Sequence, residues 1–494
     1  MTDDTAESDR IEQREVRLAK RKRLLEQGGE AYPVGVPITT TIAELRERFA
    51  DLEPDVATGE RAAVAGRIVH LRNTGKLCFA ALQAGDGSRI QAMVALDAVG
   101  EESLAEFKSL VDLGDQLFVG GEVITSRRGE LSIRADDWRI ASKALLPLPN
   151  LHTELSEETR VRSRYLDLIA RPDARRMVFA RAAAVASLRS TFAKRGYIEL
   201  ETPMLQTQQG GASARPFRTA SHAYDTDLYL RIAPELFLKR AAVGGLERIF
   251  EINRNFRDEN PDATHSPEFA MLEAYEAFSD YRGMADLTQE LVQQAAIAAG
   301  GSAEVTWFDG TRFDVGGDWD RISMYPSLSE AAGIEITPQT PLAELVALTD
   351  RLEIEVPHPI RGKYVEELWE HFVKGSLERP TFVMDFPVDT SPLVRDHRTI
   401  PGVVEKWDLY VHGFELATGY SELADPVIQR QRFVEQAALG ATGDPEAMRI
   451  DEDFLRALEF GMPPTGGRGM GIDRLLMVLT GETIRETILF PLVK

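Results

Sequence analysis

The segment Glu251–Tyr275 constrains the fold of this chain most, because its residue pattern predicts two strands joined by a polar loop. In the first strand, apolar residues alternate with polar residues, and the polar series ends in Arg257. In the second strand, Phe269, Glu273 and Tyr275 fall on one face. A surface hairpin seldom combines an arginine at a strand end with acids and aromatic residues at even spacing. The segment therefore indicates more than a simple surface hairpin.

Length and composition limit the class of protein. A chain of 494 residues predicts two or more domains, and 28% charged residues is ordinary for a globular protein. The net charge of −22 argues against a nonspecific nucleic-acid binder. Cys78 is the only cysteine, which excludes an internal disulfide and a cysteine–histidine zinc site. We interpret it as a small buried residue of a strand.

No membrane or secretory segment is expected. Apolar runs stay below the roughly 18 residues that a membrane span needs. The N-terminal sequence MTDDTAESDR is acidic and polar, unlike a signal peptide. Together with the single cysteine, these features predict a cytoplasmic protein that does not bind membranes.

Residues 1–30 predict one charged helix that ends near Gly28 and Gly29. Its segment Arg10–Arg23 holds seven Lys or Arg residues against two Glu residues. Two interpretations stay open. Such a helix contacts phosphates in a nucleic-acid-binding protein, and in other proteins it is simply a solvated terminal helix.

Residues 31–148 predict a β-barrel domain. Short runs rich in Val, Ile, Leu and Phe, separated by turn residues, predict five strands between positions 60 and 142. A helix is expected at Ser103–Leu110, between the third and fourth strands. Five strands with a helix in this position are typical of an OB-fold. A linker is expected at 149–165, next to the proline-containing sequence LPLPN.

Residues 166–494 predict a second domain of the α+β class, because its strands and helices lack a regular βαβ rhythm. The more helical range 283–375 predicts an insertion. No glycine-rich loop of the Walker or Rossmann type is present. Strand patterns occur at 228–233, 247–258, 268–278, 381–386, 404–424 and 470–479. A helix beginning near Pro172 is expected to bury Val178, Ala182, Val185, Leu188 and Phe192.

Several sequence segments, in order, resemble the class II aminoacyl-tRNA synthetases, in the form of the lysyl-tRNA synthetases. GYIELETPMLQ resembles motif 1, FEINRNFRDE with HSPEFAMLEAY resembles motif 2, and GMPPTGGRGMGIDRLLM resembles motif 3. GGASARPF, APELFLKR and FELATGYSELADP resemble the segments that bind the amino acid. The resemblance implies a catalytic domain built on an antiparallel sheet flanked by helices. It also implies a homodimer formed through motif 1, with ATP, L-lysine and tRNA(Lys) as partners.

The resemblance implies a ligase that joins lysine to ATP as lysyl-adenylate and then transfers lysine to the 3′ end of tRNA. The attacking α-carboxylate is already an anion, so positioning and electrostatics are expected to carry the rate without a general base. By resemblance, Arg257 bridges that carboxylate and the α-phosphate, and Arg474 binds the γ-phosphate side as the second catalytic arginine. The implied ATP-binding residues are Arg257, Glu259, His265, Phe269, Glu415 and Arg474.

Asp408 and Glu415 are the implied Mg²⁺ ligands. The sequence WDLYVHGFELAT predicts a hairpin with a turn at His412–Gly413, which places Tyr410 opposite Glu415 and Asp408 diagonal to it. No basic residue stands directly beside either acid in the sequence. Two carboxylates on one face suit a hard cation held between protein and phosphates.

Glu422 has the opposite strand parity to Glu415, although the family needs both in one site, so we predict a β-bulge near Thr418–Gly419. The substrate ammonium is expected to meet Glu273, Tyr275 and Glu422, since a buried cation needs charged and hydrogen-bonding partners. The implied lysine-binding residues are Gly211, Glu235, Arg257, Glu273, Tyr275, Thr418, Tyr420 and Glu422.

The OB-fold is implied to read the anticodon. Phe79 is expected to stack on a base, Gln91 to hydrogen-bond a base edge, and Glu130 to contact a further base. Three other positions depart from the family pattern: Thr418 stands where asparagine is usual, Ser266 follows the histidine in place of asparagine, and Thr264 replaces a frequent arginine. We expect these changes to alter affinities for lysine, ATP or lysine-like inhibitors rather than to abolish the reaction.

Three other functions are compatible with parts of the sequence. An aspartate or asparagine synthetase is disfavoured by Glu273 and Glu422. Delivery of activated lysine to another acceptor is disfavoured by the complete OB domain. A catalytically inactive tRNA-binding protein is disfavoured by the retained Arg257 and Arg474 and the acids Asp408 and Glu415.

Overall fold

The computed structural model describes residues 3–151, 153–212, 214–441 and 450–493. The chain forms two compact units, Met1–Arg175 and Arg176–Lys494. The predicted domain limits at 30, 148 and 165 stay predictions, since this division is coarser.

Helix α1 (Asp3–Glu26) begins the first unit, and part of its basic surface packs within that unit. The Arg17 guanidinium donates to the carbonyl oxygen of Ala144 at 3.1 Å, and the Lys20 ammonium lies 2.6 Å from the Asp112 carboxylate. These residues therefore help to hold α1 in place. The interpretation that α1 contacts phosphates therefore applies only to its other basic residues.

The first unit contains a closed five-stranded barrel in the order β1-β2-β3-β5-β4. Helices lie between the third and fourth strands, which confirms the predicted OB-fold. Cys78 is buried in this barrel and has no disulfide, as predicted. The elements are α2 (Ile42–Arg48), β1 (Ala57–Asn73), β2 (Leu77–Gln83), β3 (Arg89–Ala95), α3 (Leu96–Val99), α4 (Glu101–Leu110), β4 (Gln116–Thr125), β5 (Leu131–Ser142), α5 (Glu157–Arg162) and α6 (Arg164–Ala170). The last two helices occupy part of the range predicted as a linker.

Helix α7 (Pro172–Lys194) has its buried stripe at a different rotation from the predicted one. Ala184, Leu188 and Phe192 are fully buried, whereas Val178 is 37% exposed. Of the five predicted positions, Leu188 and Phe192 are buried and Val185 is partly buried against the same core, whereas the prediction is wrong for the exposed Val178 and Ala182. The cause is the alanine-rich sequence, which gives weak contrast between faces.

The second unit is built on one large sheet. Eight strands run in the order β14-β15-β16-β17-β18-β11-β10-β6, and all neighbours are antiparallel except the two edge pairs. This confirms the mainly antiparallel catalytic fold. The strands of the unit are β6 (Ile198–Glu199), β7 (Leu205–Gln206), β8 (Arg218–Ser221), β9 (Thr226–Leu230), β10 (Arg248–Phe256), β11 (Glu268–Ala277), β12 (Glu304–Thr306), β13 (Arg312–Asp314), β14 (Asp320–Ser323), β15 (Thr381–Pro387), β16 (Val403–Val411), β17 (Phe414–Ser421) and β18 (Thr465–Gly471).

Helices pack against both faces of the large sheet. Two 3₁₀ turns, Lys374–Ser376 and Val388–Thr390, accompany them. The helices are α8 (Glu235–Val243), α9 (Tyr281–Gly300), α10 (Met324–Ala332), α11 (Leu342–Arg351), α12 (Arg361–Phe372), α13 (Pro426–Ala441), α14 (Glu452–Leu458), α15 (Ile472–Thr480) and α16 (Ile484–Thr487).

The predicted strand at 470–479 is wrong beyond Gly471, because α15 follows at once. This helix buries Leu475, Leu476 and Met477 completely. A short continuous apolar run fits a buried helix as well as a buried strand, so the pattern alone did not separate them.

The range 283–375 contributes directly to the main fold. Asp280 caps α9 by accepting hydrogen bonds from the backbone N–H groups of Arg282 and Gly283. Met284 and Leu287 of α9 pack in the same core as the large sheet. Strand β14 also pairs with β15 in that sheet. Whether this range is an insertion relative to other proteins stays a prediction.

Arg468 is an unusual feature of β18. Its side chain is on the sheet face that packs against α9, as are its neighbours Gly466 and Met470. Arg468 is 2% exposed, and none of its guanidinium nitrogens has a hydrogen-bond partner among the described protein groups. Burial lowers its pKa to about 9. A buried charge without an acceptor costs stability.

We expect Arg468→Met to raise the free energy of unfolding by roughly 1–4 kcal/mol, because a flexible apolar side chain replaces the unpaired charge. Urea unfolding followed by near-UV circular dichroism measures this change. Arg312→Met is the control, since the Arg312 side chain is 73% exposed, and its effect should stay within about 0.5 kcal/mol. A lower unfolding midpoint for Arg468→Met would contradict the prediction.

Candidate active site

The β16–β17 hairpin turns at His412–Gly413 as predicted, and both residues have positive φ, +50° and +72°. Tyr410 pairs with Glu415, also as predicted. The predicted bulge exists, but it is at Leu416 instead of Thr418–Gly419, because the register shifts between the Tyr410 and Leu409 pairs.

Because of this bulge, Glu415 lies on the same face of β17 as Thr418 and Tyr420. Asp408 is directly opposite Thr418, and Lys406 is opposite Tyr420, so their side chains share that face. The extra residue, Leu416, is buried in the core together with its neighbour Ala417. The physical reason for the bulge was therefore correct, and only its position was wrong.

Strand β18 leaves space on the same face because glycine occupies every second position. A Cβ atom at Gly467 would collide with the Glu422 carboxylate. A Cβ atom at Gly469 would lie 2.7 Å from the Met271 methyl group. The sequence TGGRGMG already contains glycine at every second position, and this period of two is the sequence signal for the open face.

Two adjoining pockets open on this face. The first has a volume of about 350 Å³ and the second about 260 Å³. Arg257, Met271, Thr418 and Gly469 line both, so the pockets meet at these residues. The first pocket holds all six residues predicted for ATP: Arg257, Glu259, His265, Phe269, Glu415 and Arg474. The second holds seven of the eight predicted for lysine: Gly211, Glu235, Arg257, Glu273, Tyr275, Thr418 and Tyr420.

Arg257 follows β10 directly and is held at the junction of the pockets. Its backbone N–H donates to the carbonyl oxygen of Pro267 at 2.9 Å, and its guanidinium carbon lies 5.0 Å from the Phe269 ring centroid. Burial lowers the pKa of Arg257, although Glu259 opposes this. The Arg257 Nε group has no acceptor among the described protein groups. It is therefore available to an anion that reaches both pockets.

Arg474 is held in the first pocket by three contacts. Its guanidinium donates to the Glu415 carbonyl oxygen at 3.1 Å, lies over the Phe414 ring at 5.4 Å, and donates to His265 Nε2 at 3.1 Å. Because arginine only donates, His265 Nε2 accepts and Nδ1 carries the proton. His265 Nδ1 then donates to the Asp262 carboxylate at 2.9 Å.

Asp262 also organises the loop between β10 and β11. It accepts hydrogen bonds from the backbone N–H groups of Thr264 and His265 at 2.6 and 2.7 Å. Burial raises the pKa of Asp262, but these hydrogen bonds outweigh it and lower the pKa to about 2. Thr264 and Ser266, two of the departures from the family pattern, line the first pocket beside His265.

The second pocket concentrates carboxylates. Glu273 is 3% exposed, and its carboxylate accepts a hydrogen bond from the Tyr275 hydroxyl at 3.0 Å. Burial raises the pKa of Glu273 well above its ordinary value, and the charge of Glu235 adds to this. No ion pair joins Glu273 to a basic residue among the described part of the chain, so it is available to a cationic ligand.

Glu422 differs from its prediction. It does not line the second pocket with the other predicted residues; its carboxylate lies 2.5 Å from the Lys239 ammonium, which also lies 2.6 Å from Glu235. A cation of the protein itself therefore occupies part of the expected ligand set. Sequence reasoning missed Lys239, although its i,i+4 spacing from Glu235 on a helix was a usable signal.

In the fold, Asp408 and Glu415 each have a basic neighbour that is not adjacent to them in the sequence. Lys406 Nζ lies 3.0 Å from Asp408, and Arg474 Nη1 lies 3.7 Å from Glu415. Lys406 was missed although it is two residues before Asp408 on the same strand face. Burial raises the pKa of Asp408 to about 6, with Lys406 opposing and Glu415 assisting. In the part of the chain that the structure describes, no group of three or more His, Cys, Asp or Glu residues forms a metal cluster.

The barrel places two of its three predicted base-contacting residues on one face. Phe79 of β2 is partly buried, outside the core cluster, with the Arg72 guanidinium 4.8 Å from its ring centroid. Gln91 of β3 shares this face and donates to Ser132 Oγ at 2.9 Å. Glu130 is in the β4–β5 loop. OB-folds bind oligonucleotides with the β2–β3 face and the loops that include β4–β5.

Comparison with known proteins agrees with this architecture. Residues 156–494 match the family described as tRNA synthetases class II (D, K and N), and residues 62–141 match the OB-fold nucleic acid binding domain. The chain belongs to the class II tRNA synthetases. This family uses ATP.

Several relatives cover the whole chain. A lysine–tRNA ligase of Kineococcus radiotolerans is 65% identical over 98% of this chain and 97% of its own length. A lysine–tRNA ligase of Mycolicibacterium gilvum is 60% identical over 100% of this chain and 99% of its own length. The lysylphosphatidylglycerol biosynthesis bifunctional protein LysX of Nocardia farcinica is 48% identical over 98% of this chain but only 43% of its own length.

We expect Asp262→Asn to raise the KM for ATP roughly threefold to tenfold with a smaller change in kcat, because a charge-assisted network that orients His265 and Arg474 is weakened by about 1 kcal/mol. ATP–pyrophosphate exchange measures both constants. Glu268→Gln is the control: this side chain is 55% exposed and 3.9 Å from its nearest basic partner. Equal KM values for Asp262→Asn and the native protein would show that the network does not position Arg474.

Proposed function

We propose that this synthetase is a lysine–tRNA ligase that acts in the cytoplasm. The observation that carries the proposal is the second pocket, where Glu235, Glu273 and the hydroxyl of Tyr275 surround a space next to Arg257. A cationic side chain satisfies these buried acids, whereas an uncharged side chain leaves them unpaired and an acidic one is repelled. The full-length lysine–tRNA ligase relatives support the same substrate.

The two pockets divide the first half-reaction between them. The α-carboxylate of lysine attacks the α-phosphorus of ATP, the bond to the bridging oxygen breaks, and pyrophosphate leaves. Arg257, which lines both pockets, holds the carboxylate and the α-phosphate together, and its planar guanidinium suits two oxyanions. Arg474 and His265 bind the outer phosphates, while Glu259 and Phe269 hold the adenine.

The carboxylates of Asp408 and Glu415 fit a magnesium ion. Mg²⁺ is bound in many enzymes by one or two carboxylates together with substrate phosphates, and no larger protein ligand cluster is required. The ion would neutralise phosphate charge as pyrophosphate departs. Lys406 keeps Asp408 in place on the strand face.

The amino-acid pocket gives each part of lysine a partner. Glu235 and the backbone near Gly211 bind the α-amino group. Glu273 and Tyr275 bind the side-chain ammonium, and Glu422 adds its charge from behind them. Thr418 and Tyr420 form the wall on β17. In the second half-reaction, a terminal hydroxyl of tRNA attacks the carbonyl of the adenylate, and AMP leaves.

A second copy of the chain is the partner that we propose for the edge of the large sheet. Strand β6 ends the sheet, and Ile198 on it is 53% exposed. Phe179 of α7 and Leu205 of β7 are 53% and 51% exposed. An apolar edge of this kind, built from motif 1, supports the expected homodimer. Analytical ultracentrifugation determines the molecular mass.

Charging of total bacterial tRNA with each of the twenty amino acids tests the proposed function. We expect lysine alone to be attached, since only lysine matches the acids of the second pocket. Phe79→Ala should weaken tRNA binding by about 1–3 kcal/mol and so reduce charging, while pyrophosphate exchange persists. This variant therefore separates the two half-reactions. Attachment of aspartate or asparagine would overturn the proposal. Pyrophosphate exchange with lysine but no charging would favour a different acceptor.

The KM for lysine is expected to fall as the pH rises toward about 8. Burial raises the pKa of Glu422 to about 8, with Lys239 opposing, and the pKa of Glu273 is also raised, so the empty pocket holds protons at neutral pH. A bound ammonium favours the ionised carboxylates, so binding releases these protons and improves with pH, by at most about tenfold per pH unit for each proton.

Calorimetry in two buffers of different ionisation enthalpy counts the released protons. The side-chain ammonium of lysine has an ordinary pKa of about 10.4 and stays charged in this range, and protons are counted below about pH 7 so that the α-amino group is charged as well. Lysine binding without proton release, and with a KM that does not depend on pH, would show that the acids are already ionised in the empty pocket.

A further inference from the structure

Lys239, in the second unit, is a completely buried lysine whose ammonium contacts two acids. It is 0% exposed, and its Nζ lies 2.6 Å from Glu235 and 2.5 Å from Glu422. Helix α8 carries Lys239 one turn after Glu235, and Glu422 follows β17. Lys239 therefore connects an acid that lines the amino-acid pocket to an acid behind it.

The charges around the pocket form a matched set. Three carboxylates, Glu235, Glu273 and Glu422, surround Lys239, whose ammonium offsets one of them. Tyr275 on β11, Tyr420 on β17 and Glu251 on β10 also face this cluster, and Glu251 is offset by the Arg231 guanidinium at 2.7 Å. When all three acids are ionised, two negative charges remain, and lysine brings two ammonium groups. Its carboxylate is offset separately by Arg257.

We propose that Lys239 is a positioning residue for amino-acid binding: its ammonium orients Glu235 and Glu422 and offsets part of their charge, so that the acids of the cluster hold fewer protons for the substrate to displace. The inference rests on the proposed function, because it assumes a substrate with two ammonium groups. Lys239 acts through the two acids and does not need to contact the substrate.

The proposal follows from competition between cations and protons. Three buried carboxylates within one cluster repel each other, and without a cation they take up protons. Lys239 supplies a permanent cation, since burial lowers its pKa but Glu235 and Glu422 raise it above its ordinary value. Without this ammonium, an incoming lysine must displace a further proton, which weakens binding most at low pH.

The test compares the KM for lysine of Lys239→Gln and the native enzyme in pyrophosphate exchange, on both sides of about pH 8. We expect the ratio of the two KM values to be above one at low pH and to fall with rising pH, by up to about tenfold per pH unit for one extra proton. Titration of the substrate itself cancels in this ratio. The kcat ratio should change less.

Two variants separate charge from structure. Lys239→Arg retains the charge, so its KM ratio should stay level with pH whatever its size. Lys143→Gln is the matched control, because Lys143 is likewise buried between two acids, Asp112 at 2.6 Å and Asp115 at 2.8 Å, in the barrel unit. Its ratio should also stay level. A level ratio for Lys239→Gln would mean a purely structural role and would overturn the proposal.

The double variant Lys239→Gln/Glu422→Gln serves if Lys239→Gln does not fold, because it removes the ammonium together with one carboxylate. Its KM ratio should stay level with pH, since two carboxylates again face two substrate ammonium groups. A ratio that falls with pH in this variant would overturn the inference. If the native enzyme itself does not use lysine, the proposed function fails instead, so the two failures are distinct.

Discussion

The extra residue at Leu416 is the geometric constraint on which both pockets depend. In a regular strand, Glu415 and Thr418 would point to opposite faces. The bulge buries both Leu416 and Ala417 in the core, and so Glu415 shares a face with Thr418 and Tyr420. Glu415 of the first pocket and Thr418 and Tyr420 of the second pocket come from one strand for this reason. A register without the bulge would bury Glu415 or expose the core.

Glycine on the neighbouring strand completes this arrangement. Gly467 and Gly469 of β18 keep the space that the Glu422 carboxylate and the Met271 side chain occupy. The same strand carries Arg468 on the opposite face, inside the core. One strand therefore combines small residues that create a site with a charged residue that the core has to accommodate.

Much of this fold follows from the period of the sequence. Alternation identified β10, β11 and the β16–β17 hairpin, and the turn at His412–Gly413 fixed the pairing of Tyr410 with Glu415. Errors arose where the local pattern is degenerate. The apolar run after Gly471 suits a strand or a helix, and alanine-rich α7 has little contrast between its faces. The bulge position depends on which residues the distant core accepts, and no local pattern contains that information.

The candidate site shows a similar limit. The residues expected for ATP and most of those expected for lysine come together in two adjoining pockets, because motif positions fix strand faces. The cations Lys406 and Lys239 were not predicted, because they pair with the acids of the site and match no ligand-binding pattern themselves. A buried carboxylate always needs a partner, so each predicted acid in a sequence implies a search for its cation.

Lys239 and Arg468 show what separates a useful buried cation from a costly one. Both are almost completely buried in the same unit. Lys239 has two carboxylates within ion-pair distance, and burial is offset by their charge. Arg468 has no acceptor among the described groups, so its burial is not offset. The sequence presents both simply as basic residues next to glycine or leucine. Only the faces of β17, β18 and α8, brought together by the fold, decide which of the two charges has partners, and therefore which one serves the site.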